Sequence, residues 1–188
     1  MQSCHVAAGL VVLTLGLSGC APWLPLVTHG PPPSPTLTGP AGKTPVTGQP
    51  SAQFCDKAEA YLARFPDVPL YRPDPPEPDA MNTLSCWYTS DILDPLKGVN
   101  LEAQALNNDD DRAVFTEQCH DGNIGPGSTR ITAGWVTDHG WSAWIAQHDP
   151  VLSEAVLCTH DQFYSVRVSN VPGATADDAL ATIMAAID

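Results

Sequence analysis

Four cysteines, Cys55, Cys86, Cys119 and Cys158, strung about 30 to 40 residues apart, constrain this chain more than any other feature. Their spacing lacks the close pairs of a zinc ribbon, and an even number at wide intervals reads as two disulfides. A chain tied in this way must fold distant segments onto one another in an oxidising compartment. The amino terminus points to one. Val6 to Leu17 is an apolar run leading straight into Leu17-Ser18-Gly19-Cys20, the pattern of a bacterial lipoprotein signal peptide and its lipobox. About a dozen apolar residues suit a signal-peptide core, whereas crossing hydrocarbon takes ~20. Cys20 is therefore the expected lipidated residue, with residues 1–19, Cys4 among them, removed. The stretch departs from the pattern in one respect: no Lys or Arg precedes Lys43. Two or three acyl chains on Cys20 would hold the protein durably to a membrane, which places it on the outer face of the cytoplasmic membrane or in the cell envelope.

Every Lys, Arg, Asp and Glu follows Cys20, so the mature chain keeps the full formal charge of −13. That field repels nucleic acid, and the basic residues form no cluster in sequence, which argues against a nucleic-acid partner. From Cys20 to Ser51 the chain is dense in Pro, Gly and Thr, including Pro31-Pro32-Pro33-Ser34-Pro35, and cannot build a core. It reads as a tether of ~30 residues, extended and partly polyproline. Residues 52–188 are of single-domain size and can bury a sizeable core.

Within that domain, Ala52 to Phe65 places Phe54, Ala58, Tyr61, Leu62 and Phe65 on one helical face, the mark of an amphipathic helix. A Pro-rich loop follows at Pro66 to Asp79. Strands are expected at Leu84–Ser90, Val99–Leu106, Arg130–Val136, Trp141–Ala146, Ala155–Thr159 and Phe163–Ser169, with a short helix at Asp110–Gln118. At the end Thr175 can cap a helix whose stripe is Leu180, Ile183, Met184 and Ile187, with Asp177 and Asp178 suiting its positive end. Short turns joining the last four strands imply an antiparallel meander, and the whole an α+β domain: about six strands faced by amino- and carboxyl-terminal helices. Four cysteines permit three pairings. Packing the first helix on the sheet favours Cys55 with Cys86, leaving Cys119 with Cys158.

A cysteine in the first helix (Phe54-Cys55-Asp56), a Cys-Trp pair on the first strand (Cys86-Trp87-Tyr88), a late hairpin strand and a terminal helix together resemble a family of lipoproteins of unknown function common in actinobacterial envelopes. The likeness covers most of residues 52–188. That family is similar in layout to the extracytoplasmic sensor domains of bacterial serine/threonine kinases. The resemblance implies a fold and an address, and it brings no reaction or catalytic residue to carry over.

Chemistry-bearing residues cluster in four His-Asp neighbours: His120-Asp121, Asp138-His139, His148-Asp149 and His160-Asp161. Imidazole with carboxylate can ligate zinc or act as a general base, but both residue types also suit wet turns. A meander would put His139 with His160 at one end of the sheet and His120 with His148 at the other, so no single metal site is expected. Asn107 to Asp111 lacks the alternation and the sixth-position Gly of a calcium loop. Gly122 to Ser128 lacks the Lys of a phosphate loop and the elbow of a serine hydrolase, and is expected to be a flexible loop. Nothing in the chain calls for a cofactor. Trp135, Trp141 and Trp144 fall on one predicted hairpin, with Trp135 and Trp141 sharing a face. Each is core if covered by a helix, or a candidate platform for peptide, glycan or lipid if open to solvent. The expected function is a non-enzymatic envelope module that binds a ligand or a protein partner. The rivals are a hydrolase or metalloenzyme using the His-Asp turns, and a lipid carrier.

Overall fold

The computed structural model describes residues 52–65, 83–89, 91, 93–94 and 96–188. The expected signal segment, Cys20 and tether lie outside the described residues, as does the Pro-rich stretch at 66–79. Among the described residues no helix is long and apolar enough to cross a membrane.

The domain is α+β. Helix α1 (Ala52–Leu62) is followed by strands β1 (Thr83–Tyr88) and β2 (Gly98–Ala105), then helix α2 (Asp109–Val114) and a π-helical turn at Glu117–Asp121. Strand β3 (Thr129–Arg130), helix α3 (Gly134–Thr137), strands β4 (Ser142–Asp149), β5 (Leu152–Cys158) and β6 (Gln162–Ser169), and helix α4 (Ala176–Ile187) complete the chain. The six strands form one antiparallel sheet in the order β1-β2-β6-β5-β4-β3.

Alternation along each strand sends one set of side chains to one face. Leu84, Cys86 and Tyr88 of β1, Val99, Leu101 and Ala103 of β2, and Val166 and Val168 of β6 are buried there with Ala155 and Leu157 of β5. Helices α1 and α4 cover this face, which we call the closed face, and pack on each other. Helix α4 is set by its own sequence. Thr175 and Asp178 form a reciprocal capping box, and Leu180 and Ile183, both fully buried, lie on the inward stripe. Burying each such side chain contributes about 1.5 to 3 kcal/mol. Asp178 also accepts the Tyr61 phenol at 3.0 Å and lies 3.8 Å from Arg64, so the α4 cap is tied to α1. Burial, then the negative charge of Asp178, holds that phenol above its ordinary pKa. The disulfide Cys55–Cys86 pins α1 to β1, and the buried Tyr88 hydroxyl donates to the Cys55 carbonyl at 2.6 Å.

Two elements depart from expectation. The strand expected at Arg130–Val136 is only Thr129–Arg130, and Gly134–Thr137 is helical. Trp135 and Val136 both pack against the main core, which adjacent residues of a strand cannot do. The helix expected at Asp110–Gln118 starts instead at Asp109 under an Asn108 cap and gives way to the π-helical turn. That break lets Phe115 stack on Phe163, with ring centroids 4.0 Å apart, while Cys119 bonds to Cys158.

Candidate functional site

The second face of the sheet, the open face, carries the outward set of side chains. Register places Trp87 of β1 opposite Asn100 of β2, Asn100 opposite Arg167 of β6, and Arg167 opposite Glu154 of β5. These four side chains form one row across four strands, about 14 Å long at the usual strand spacing. A second row, Ser85, Glu102, Ser165 and Val156, runs beside it. Polar contacts link the rows. Ser85 Oγ donates to Asn100 Oδ1 at 3.1 Å, and Asn100 Nδ2 donates to Glu102 Oε1 at 2.9 Å. Glu154 is the far anchor, with Arg167 Nε at 3.5 Å from one carboxylate oxygen and His148 Nε2 at 2.9 Å from the other.

Two adjoining hollows of about 440 and 420 Å³ lie along these rows and share Asn100 and Arg167. The first reaches from Trp87 to Ser169, beside the exposed Leu96. The second runs beneath the cap formed by α2 and the π-helical turn, where Phe115, Gln118, Asn123 and Ile124 overhang Glu102 and Glu154. The buried amide oxygen of Gln118 there has no hydrogen-bond partner among the described residues. A buried acceptor left in that state costs about 1 to 3 kcal/mol, which a donor entering the groove would recover. Together the hollows make a groove offering an aromatic face, an amide, a guanidinium and the Glu154 carboxylate in line, with Glu102 in the row beside them.

The cap above the second hollow is held by few apolar contacts. Cys119–Cys158 pins it to β5, Trp144 Nε1 donates to the Cys119 carbonyl at 3.1 Å, and Leu106, Val156 and Phe163 form a small separate cluster beneath Phe115 and Ile124. The Gly-rich segment, expected as a flexible loop, packs closely at two glycines. Gly122 has φ +67° and lies so near the Trp144 ring that an added Cβ would be 2.3 Å from it, and Gly125 packs in the same way on His148.

The tryptophans singled out from sequence lie elsewhere. Trp141 is buried in the main core, and Trp135 is half-buried against it from α3 rather than from a strand. Trp144 is half-buried on the open face between Gly122 and Arg130, whose guanidinium stacks over its ring at 5.6 Å. Although the sequence singles out Trp135, Trp141 and Trp144 as candidates, it is Trp87 that borders the groove. Its position was legible: in a strand whose Leu84, Cys86 and Tyr88 face the core, Trp87 faces away.

The His-Asp turns are also sorted differently. His120 does not share an end of the sheet with His148; it lines a hollow with His160 and Gly140. The disulfide through the neighbouring Cys119 carries it there. His148 binds Glu154, and His139 lies against Trp141 with its Nδ1 2.8 Å from the Trp135 carbonyl. Among the described residues no three His, Cys, Asp or Glu side chains stand close enough to hold a metal ion. No protein-family model, curated protein or solved structure matches the chain.

Proposed function

We propose, from the geometry without a relative to argue from, that the chain is an exported lipoprotein, anchored by acyl chains on Cys20, whose domain binds an envelope ligand or partner along the open-face groove without transforming it. The row of Trp87, Asn100, Arg167 and Glu154 carries this reading. A sheet face of this length is normally covered or uniformly solvated, whereas this one combines an aromatic platform with fixed donors and acceptors over adjoining hollows. The Ser85 hydroxyl in the groove donates to the Asn100 amide rather than to a base, which supports recognition over hydrolysis. The anchor is argued from the lipobox, and the two disulfides agree with an oxidising address. The likeness to actinobacterial envelope lipoproteins and kinase sensor domains belongs to the same proposal.

Two measurements test it. Cys20→Ser should leave the chain unprocessed and release it from membranes; a variant cleaved and anchored like the parent would remove the lipoprotein reading. For the groove, soluble envelope fragments, neutral glycans and short peptides among them, should be titrated into isotopically labelled protein. Binding is expected to shift the amides around Trp87, Asn100 and Arg167 and to be lost in Trp87→Ala with Arg167→Ala. Shifts confined to the α1 and α4 surface would sink the groove assignment.

A further inference from the structure

We infer that a second hollow, over the Cys119–Cys158 disulfide, is a binding site for a phosphoryl group. It measures about 330 Å³ and is lined by Arg112, Arg130, His120, His160, Thr116 and Ser142 beside the disulfide and Trp141. The chain carries 21 Asp and Glu against 8 Lys and Arg, yet two of its arginines and two of its six histidines line this one hollow and, among the described residues, no Asp or Glu does. The open-face groove, by contrast, contains Glu102 and Glu154.

The donors come from four separate elements: Arg112 from α2, Arg130 from β3, Ser142 from the start of β4, and His160 from the turn after β5. Donors converging from several sides suit a tetrahedral oxyanion with three free oxygens better than a planar carboxylate, which one guanidinium can satisfy in its own plane. Arg130 has no carboxylate partner among the described residues; it rests on the Trp144 ring. Arg112 meets Asp109 at 3.2 Å, but the Asp109 side chain is fully exposed and such a pair is weak enough to be displaced. Asp121 accepts from Nδ1 of His120, and a neutral ring held this way has no proton on Nε2, so the two arginines and Ser142 are the donors on which the site rests. The net charge of −13 opposes an anion at long range, but at physiological salt charges beyond about 8 Å are screened and the local arginines dominate. The disulfide sets the geometry, because it holds the turn carrying Thr116 and His120 against the end of β5 that leads to His160.

The test is titration of the full chain, disulfides intact, with inorganic phosphate and phenyl phosphate at matched ionic strength. Binding is read by calorimetry and by the fluorescence of Trp141 and Trp144 beside the site. Saturable binding is expected, weakened about tenfold by Arg130→Gln, several-fold by Arg112→Gln, and unchanged by the charge-matched Lys57→Gln on α1. No saturation by about 10 mM phosphate would overturn the site, as would equal binding by the Arg112→Gln/Arg130→Gln double variant. Benzoate binding as tightly as phenyl phosphate would overturn the phosphoryl assignment.

Discussion

On the closed face, α1 and α4 bury Phe54, Leu62, Leu180 and Ile183 against Leu101, Leu157 and Val166, with Cys55–Cys86 inside that layer. On the open face, α2 has no buried residue, and the cap it begins rests on a cluster of four buried side chains, Leu106, Val156, Cys158 and Phe163. Each face therefore has one disulfide with a different duty. Cys55–Cys86 reinforces a layer that apolar burial already holds, whereas Cys119–Cys158 stands in for the core that the cap lacks. The lesson is that a disulfide can keep an element in place where burying more apolar surface would close a groove.

Removing each bridge should expose the contrast most strongly. The loops closed span 31 and 39 residues, so chain entropy assigns each bridge about 4 kcal/mol, less any strain. Cys55→Ala/Cys86→Ala should lower the stability of the whole domain by about that amount, as read from denaturant midpoints. Cys119→Ala/Cys158→Ala should instead speed hydrogen exchange at residues 109–124 toward that of an open chain while α4 stays protected. Uniformly faster exchange in both variants would show that the two faces unfold as one unit, and the contrast would fail.

A smaller and more local effect is expected at Gly122. Its φ of +67° and the Trp144 ring both oppose a side chain, so Gly122→Ala should cost about 1 to 3 kcal/mol. The loss should loosen the cap without moving α1 or α4. Near-wild-type stability with unchanged exchange in the cap would mean that the contact with Trp144 does not hold it down.

The closed face was the legible one. Period-3.6 stripes at Phe54 to Phe65 and Leu180 to Ile187, Thr175 as a cap and alternating strands are local signals, and they lead to the α+β architecture. The favoured cysteine pairing followed because helix packing restricts which partners can meet. The open face depends on non-local facts. Whether Trp87, Asn100, Arg167 and Glu154 stand in line is a matter of register between strands far apart in sequence, and each residue on its own is unremarkable. Turn alternation puts His120 beside His148, but a disulfide sets the position of that segment and carries it to the His160 end. Its β-rich neighbours put Trp135 on a strand, but at Gly134 the chain turns helical.

The smallest expected change in stability is the most informative about the groove. Trp87 is half-buried on the outward side of β1, which among the described residues is an edge strand with a neighbour on one side. Truncating it removes contacts with solvent and with the groove floor but leaves no cavity inside the core. Trp87→Ala should therefore cost no more than about 1 kcal/mol, whereas the same truncation at the buried Trp141 should cost about 3 to 5. If the two substitutions are equally damaging, Trp87 is supporting the sheet, and its place at the head of the row is structural. If Trp87→Ala leaves the denaturant midpoint nearly unchanged yet removes the amide shifts caused by a bound fragment, its contact area serves recognition. A large aromatic surface that contributes little to folding is the physical signature of a residue positioned for something outside the chain.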